Sequence, residues 1–376
     1  MKYQKITIIL FFSLLALMPL LIFLLPKQEF SQEENRYLAD FPKLSLKTIA
    51  GKEFMDGFDE YAADHFPLRT SWIGMKTQLE HLSGRKEING VYILKDRLIE
   101  KTDEIDQENI RKSVKEMNAF AKRFSGSTSL MLIPTAAEVY KDMLPKGAPG
   151  IAQKEQIDGI YGQVKNISTI DAYSSLMSNA QKLTFYRSDH HWTSFGAYLG
   201  YSAASKQLGY TPVAVERFNV EHASHQFRGS LYSKIIYDRV ESDTIDLYTY
   251  GNSSHIIKVD IFDGKEWNEN DDIYFRDYLG KKDQYSVFLG QNQPIVTIHT
   301  DAATDSNLLI FKDSYSHSLV PFLALHYSKI TLVDLRYLTR SFENWIDLDD
   351  YQQALFCYNF KNFAIDNDVQ KVNLPK

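Results

Sequence analysis

Tyr186-Arg187-Ser188-Asp189-His190-His191-Trp192-Thr193 sets an acid, two imidazoles and an indole side by side, directly ahead of the glycine- and alanine-rich run Ser194 to Leu208. On an extended backbone, residues two apart share a face, so Asp189 and His191 point together and His190 points away. A carboxylate and a histidine aimed one way are the orienting group and base of a catalytic triad. The nucleophile that would complete it is supplied, far downstream, by Lys312-Asp313-Ser314-Tyr315-Ser316.

The segments around these two stretches alternate helix and strand. Ile110, Val114, Met117, Ala121 and Phe124 have the spacing of an amphipathic helix over Gln107 to Phe124, and the apolar run Ser129 to Pro134 that follows reads as a buried strand. The pattern recurs with a helix near Gln153 to Val164, strands at Ile167 to Asp171 and Leu183 to Tyr186, and a helix from Ser194. A further strand, Asn307 to Phe311, ends at Lys312-Asp313-Ser314 and leads into a helical run, Ser318 to His326, and a strand, Lys329 to Asp334. Such alternation predicts an α/β fold with a doubly wound sheet, which presents reactive groups at the carboxyl ends of its strands. Val91 to Leu94 and Arg97 to Ile99 read as a hairpin turning at Lys95-Asp96. Between about 211 and 300 the period changes, and stretches such as Thr244 to Tyr250 and Ser254 to Phe262 alternate as antiparallel strands do, predicting a β-rich insertion.

Ile6 to Leu25 is apolar apart from Thr7 and Ser13, long enough for a helix to cross a bilayer. Lys2 and Lys5 ahead of it hold the N-terminus in the cytoplasm and send the rest outside. A cleaved signal peptide is the other reading, but Leu24-Leu25-Pro26-Lys27-Gln28 carries no small-x-small cleavage site. The expectation is therefore an anchor over residues 1–28, with Pro19 tolerated inside it. A membrane-proximal helical region follows over 29–85, with helices at Ile49 to Ala63 and Arg69 to Leu82, and a main domain over 86–376.

The 376 residues are 44% hydrophobic with a net charge of -6, so the chain is globular, and the absence of a long basic run speaks against nucleic acid as a partner. Cys357 is the only cysteine, which excludes an intramolecular disulfide and a cysteine-based zinc site; between Phe356 and Tyr358 it reads as a buried small hydrophobe.

A serine becomes a nucleophile when a base takes its proton and a third group orients that base. Ser314, His191 and Asp189 fit these roles. Each also has a purely structural reading: Ser314 as a helix N-cap, Asp189 and His191 as a turn capping the following helix, Trp192 as core.

Tyr186 to Ala197 together with Lys312 to Ser316 resembles the DHHW family of bacterial cell-envelope proteins, which is similar in turn to the alginate O-acetylation proteins AlgX and AlgJ. The family's motif stands here as Asp189-His190-His191-Trp192, and the wider resemblance includes Glu34-Asn35-Arg36, Asp64-His65-Phe66-Pro67-Leu68-Arg69, Ile88-Asn89-Gly90-Val91-Tyr92 and Asp334-Leu335-Arg336-Tyr337. The resemblance implies a flavodoxin-like, three-layer α/β/α fold of the SGNH-hydrolase kind with the serine block after the Asp/His block, a permuted order. It implies Ser314 as nucleophile, His191 as base and Asp189 as orienter, with no role for His190. Lys312 stands where a Gly-Asp-Ser block has glycine, which weakens the turn as a backbone oxyanion donor. Asn292, after Gly290-Gln291 and just before a strand, is a candidate oxyanion donor or else a turn residue, and Arg187 and Arg336 are candidates for binding a carboxylate or sugar or else surface or paired arginines.

These readings make the chain a single-pass bacterial membrane protein that transfers an acyl group, acetyl above all, to a cell-surface or secreted polysaccharide. A membrane-bound O-acyltransferase would be the donor partner, and no cofactor is implied. An esterase with the same triad and a non-catalytic polysaccharide-binding or assembly protein are the alternatives. Metal ligation by Asp189, His190 and His191 and the Asp-His-His phosphoesterase motif are weaker, because adjacent histidines diverge on an extended chain and the companion motifs are missing.

Overall fold

The computed structural model describes residues 2–251 and 255–376; Ser254, the first residue of one expected strand, lies outside them. The chain forms two compact units, one of residues up to Asn89 with Tyr232–Arg239, the other of Gly90–Leu231 with Val240–Lys376.

The first unit opens with α1 (Lys2–Leu24), whose apolar length is that of a membrane span and whose side chains are largely exposed. Then come α2 (Leu46–Ala50), α3 (Glu53–Asp64) and α4 (Arg69–Leu82). Two of the motifs meet here: Arg36 Nη1 donates to Asp64 Oδ2 at 2.8 Å, and Arg69 Nε to Glu34 Oε1 at 2.8 Å.

The second unit is built on an eight-stranded mixed sheet. Its strands are β1 (Ser127–Ile133), β2 (Ile167–Ile170), β3 (Ile256–Phe262), β4 (Trp267–Asn270), β5 (Ile295–Thr300), β6 (Asn307–Lys312), β7 (Lys329–Val333) and β8 (Gln353–Asn359), in the order β4-β3-β5-β7-β6-β8-β1-β2. From β7 to β2 the neighbours are parallel, and β5, β3 and β4 continue antiparallel.

The continuous apolar runs of the central strands are explained by burial on both faces. Leu308, Ile310, Met131, Ile133, Leu355 and Cys357 join one core, which includes Ala197, Tyr201 and Ala204 of α7 (Ser194–Leu208). Their alternate neighbours Leu309, Phe311, Leu130, Leu132 and Phe356 join a second core, with Ile110, Val114, Met117 and Phe120 of α5 (Gln107–Arg123) and Ile157 and Ile160 of α6 (Gln153–Tyr161). Helices thus cover both sides of the sheet, the three-layer α/β/α arrangement.

Three expectations are corrected. Leu183 to Tyr186 is not a strand of the sheet: Phe185 makes one isolated bridge with Trp192, and the chain between them folds into a loop. The apolar character there comes from burial in the core beneath α7, which periodicity cannot distinguish from strand burial. The helical run Ser318 to His326 begins earlier, as a 3-10 turn at Ser314–Ser318, and is short, with a single α turn at Val320–Leu323 that Pro321 opens. The β-rich stretch divides: Phe218–Phe227 and Asp243–Tyr250 pair as a separate two-stranded sheet, while β3, β4 and β5 extend the main one.

Candidate functional site

Ser314 lies one residue past β6, after Asp313, at the carboxyl end of a central parallel strand. The turn it opens is capped by its neighbour: Asp313 accepts from Tyr315 N at 3.0 Å, and its other oxygen accepts from Asn359 N and Asn362 Nδ2, both at 2.8 Å. With capping assigned to Asp313, the Ser314 hydroxyl is left for another partner. It donates to His191 Nε2 at 2.7 Å, and His191 Nδ1 donates to Asp189 Oδ1 at 2.6 Å. The same division holds at the other stretch, where Thr193 caps α7 by accepting from Gly196 N at 3.1 Å. Trp192 is wholly buried, as its core reading predicts, and donates through Nε1 to Tyr315 O at 3.0 Å and Ser318 Oγ at 2.9 Å, joining the two stretches. Gly200 and Gly196 permit this, because a Cβ on either would meet the Trp192 side chain at 2.8 and 2.9 Å.

The loop bearing Asp189 is held from the separate β pair. Asp243 accepts from Arg187 N at 2.8 Å, Ser188 N at 2.9 Å and Ser188 Oγ at 2.6 Å. Asp189 accepts from His191 N at 2.9 Å through Oδ1 and from Ser230 N at 2.7 Å through Oδ2. Gly229 lies so close that a Cβ there would sit 2.3 Å from the Asp189 carboxylate oxygen.

Burial alone would push the Asp189 carboxyl up, but the imidazoles of His191 and His190, with the bonds from His191 and Ser230 N, hold it well below the usual carboxylate range. Burial, with the neighbouring His190, pushes His191 down to about 4 against the attraction of Asp189. At neutral pH the imidazole is uncharged, with a proton on Nδ1 for Asp189 and a lone pair on Nε2 for the serine. Tyr285 lies flat against it, with ring centroids 3.8 Å apart and 8° between planes, and its hydroxyl donates to Ser314 O at 3.1 Å. An ionised carboxylate, a neutral imidazole and a half-buried hydroxyl in this sequence can move a proton off Ser314.

His190 does not point away. The loop brings its ring centroid to 3.9 Å from that of His191, and Nδ1 lies 2.6 Å from Ser230 Oγ. Ligand atoms of Asp189, His190 and His191 accordingly fall within 4.8 Å of one another. His191 spends Nδ1 on Asp189, so a cation bound there would take Nε2 from Ser314.

The remaining candidates are placed apart from this chain of bonds. Lys312 is wholly buried, and its Nζ donates to Asn292 Oδ1 at 2.8 Å, His317 Nε2 at 2.8 Å and Asp334 Oδ2 at 3.0 Å. Burial pushes Lys312 down against the pull of Asp334, and pushes His317 down further with Lys312 beside it. Lysine only donates, so the Asn292 carbonyl oxygen faces it, leaving the amide NH2 as the part able to serve an oxyanion. Arg336 is committed to Asp334, with Nε to Oδ1 at 2.8 Å and Nη2 to Oδ2 at 2.7 Å. Arg187 has its guanidinium 4.0 Å from Asp243.

Tyr285, the adjacent pair Gly229-Ser230 and Asp243 reach the site from three separate segments and carry no local signal in sequence. The Lys312–Asp334 pair did carry one, since a lysine closing an apolar strand needs a buried carboxylate partner.

A family model described as DHHW protein matches residues 91–333, more than half of the chain. Among solved structures, a DHHW family protein from Eubacterium siraeum is similar at 22% identity and TM-score 0.66, covering 77% of this chain and 97% of that one. PatB1 from Bacillus cereus is similar at 19% identity and TM-score 0.64, covering 74% and 98%. The O-acetyltransferase domain of Pseudomonas putida AlgJ aligns at 16% identity and TM-score 0.45, covering 75% and 98%. No curated protein matches the chain.

Proposed function

This chain belongs to the DHHW family, and from that premise we propose that it is a membrane-anchored, extracytoplasmic O-acyltransferase that places acetyl groups on a polysaccharide through Ser314, His191 and Asp189. The observation that carries the reading is the run of bonds from Ser314 Oγ through His191 to Asp189, at 2.7 and 2.6 Å. Ser314 Oγ attacks the acyl carbonyl of the donor while its proton passes to His191 Nε2, and Asp189 offsets the charge on the imidazolium. The proton then goes to the leaving group as it departs, leaving acetyl-Ser314. A sugar hydroxyl attacks that ester, giving its proton to His191, and the serine leaves with the proton returned. The donor in this reading is a membrane-bound O-acyltransferase, reached from the anchor α1. Asn292, through its amide NH2, is the proposed oxyanion donor; Arg187, 4.0 Å from Asp243 where Arg336 makes two short bonds to Asp334, is the freer of the two arginines for a substrate group.

Water in place of the sugar would make the same residues an esterase, and the partial exposure of Ser314 favours that as the second reading. Lys312, standing where a glycine would supply a backbone oxyanion donor, is what supports a non-catalytic protein of this fold; its ammonium is engaged with Asn292, His317 and Asp334. The test is incubation of the full chain with an activated acetyl ester, followed by intact mass and peptide mapping. An acetyl group on Ser314, absent in Ser314→Ala and His191→Ala, is expected. A folded protein that forms no adduct and turns over no ester refutes the enzymatic reading, and acetyl transfer to added oligosaccharide separates transferase from esterase.

A further inference from the structure

α4 has two faces. Gly74 and Thr77 are buried against the segment 232–239 of the same unit, with Thr77 Oγ1 donating to Ile235 O at 2.5 Å and a Cβ on Gly74 meeting Ile236 O at 3.3 Å. On the opposite side Leu68, Trp72, Met75, Leu79 and Leu82 follow at helical spacing, and all are exposed, from 45% for Trp72 to 71% for Leu68. At about 100° per residue these five fall within one narrow arc. A soluble helix normally keeps such an arc covered.

The location of the helix says what covers it. Phe23, next to the last residue of α1, lies against Phe58 of α3 and Phe41, with ring centroids 6.5 and 6.4 Å away. Lys27 sits over the rings of Phe41 and Tyr61. Tyr61 and Lys27, each with an apolar stem and a polar tip, suit the membrane–water interface where an apolar span ends, and the phenylalanines extend the apolar surface there. Asp64, the end of α3, is six residues beyond Phe58, about 9 Å along the helix, and α4 starts after a four-residue turn. The helix therefore begins less than two turns of α3 and one four-residue turn from the point where α1 leaves the bilayer.

We infer that α4 is an interfacial helix, lying on the outer leaflet with Leu68, Trp72, Met75, Leu79 and Leu82 among the lipid chains. The bilayer is the occupant of this face, in the manner of amphipathic helices that lie in the interface plane. The inference rests on the reading of α1 as a membrane span. The anchor and α4 together hold the first unit at the surface by two contacts, which limits its tilt.

The test places the full chain, one copy per lipid nanodisc, with an environment-sensitive fluorophore on Leu79→Cys, Met75→Cys, Lys76→Cys or, in α1, Leu15→Cys. Cys357 is buried and its thiol is pushed up by burial, so labelling is confined to the new cysteine. Expected are a blue shift at positions 75 and 79 and strong quenching there by lipids carrying a shallow spin label, with a polar, unquenched signal at 76 and quenching at 15 by a deep label. Quenching at 15 with none at 75 and 79 overturns the inference and leaves the anchor standing; no quenching at 15 overturns the anchor and the inference with it. A single copy in pure lipid excludes a second chain or a protein partner as the cover. Leu79→Glu at this exposed position is expected to abolish quenching at 75 without altering ester turnover.

Discussion

Gly229→Ala tests the site by geometry alone. The substitution removes no polar group. A methyl group there would stand 2.3 Å from Asp189 Oδ2 and Cβ and 2.6 Å from Cγ, far inside van der Waals contact. Either the backbone at 229 or the carboxylate must move, and the carboxylate is the smaller obstacle because Asp243 also pins the loop that bears it. Movement breaks the Oδ2 bond from Ser230 N and pulls Oδ1 from His191 Nδ1. A hydrogen bond to a charged group contributes about 1.5–3 kcal/mol, and losing one such bond to the imidazolium that forms on Ser314 attack slows acylation roughly 10- to 100-fold at 1.36 kcal/mol per decade. Overpacking at a tight site also costs about 1–3 kcal/mol of stability, to be read separately by denaturant unfolding. The assay is the pre-steady-state burst of leaving group from an activated acetyl ester in Gly229→Ala, Asp189→Asn and the double variant. The double variant is expected to be no slower than Asp189→Asn, because both changes remove the same contact. An unchanged burst in folded Gly229→Ala, or fully additive losses in the double variant, refutes the reasoning.

Other expectations follow from the same contacts. His191 is ordinarily near 6.5 and is pushed down to about 4 by burial, so the acylation rate should stay flat from neutral pH to about 5 and fall with a midpoint near 4; a midpoint near 6.5 in a pH–rate profile contradicts the burial argument. Between those two values the unfolded chain takes up a proton on His191 that the folded one does not, so stability should fall as pH drops through that window, by at most about 3 kcal/mol, measurable by denaturant titration across it. Tyr285→Leu uncovers the imidazole face and should move the acid midpoint upward toward 6.5, since burial is the leading cause of the depression. Asp334 holds Lys312 and Arg336 together in a buried cluster. Asp334→Asn leaves two cations without a counter-charge and should cost about 3–5 kcal/mol, whereas Lys312→Met leaves Asp334 still paired with Arg336 and should cost less; equal midpoints in urea unfolding would contradict the cluster's description.

The apolar strands at Ser129 to Pro134, Asn307 to Phe311 and Lys329 to Asp334 were legible in sequence because strands covered on both faces need no polar positions. The helix Ser194 to Leu208 was legible from its glycine- and alanine-rich run, and the structure adds Thr193 as its cap. Asp189, His191 and Ser314 stood out because the chemistry restricts the residue types that can perform it, and the structure brings these three side chains into one run of hydrogen bonds. What sequence could not supply is what distant segments contribute. The loop at 187–191 is shaped by Asp243, 54 positions beyond Asp189, and it overrides the extended geometry that would have sent His190 away from His191. Tyr285 covers the base, Gly229 makes room for the acid, and Asp313 takes the cap that Ser314 was free to take. The alternation read at Ser254 to Phe262 suggested a separate insertion, yet β3, with β4 and β5, hydrogen-bonds to the edge of the main sheet, because alternation reports which faces are buried and says nothing about which strand lies alongside. Local sequence determined residue type and periodicity; the partner of each side chain was decided by tertiary packing, where contacts between positions far apart in the chain set the final direction of every group in the site.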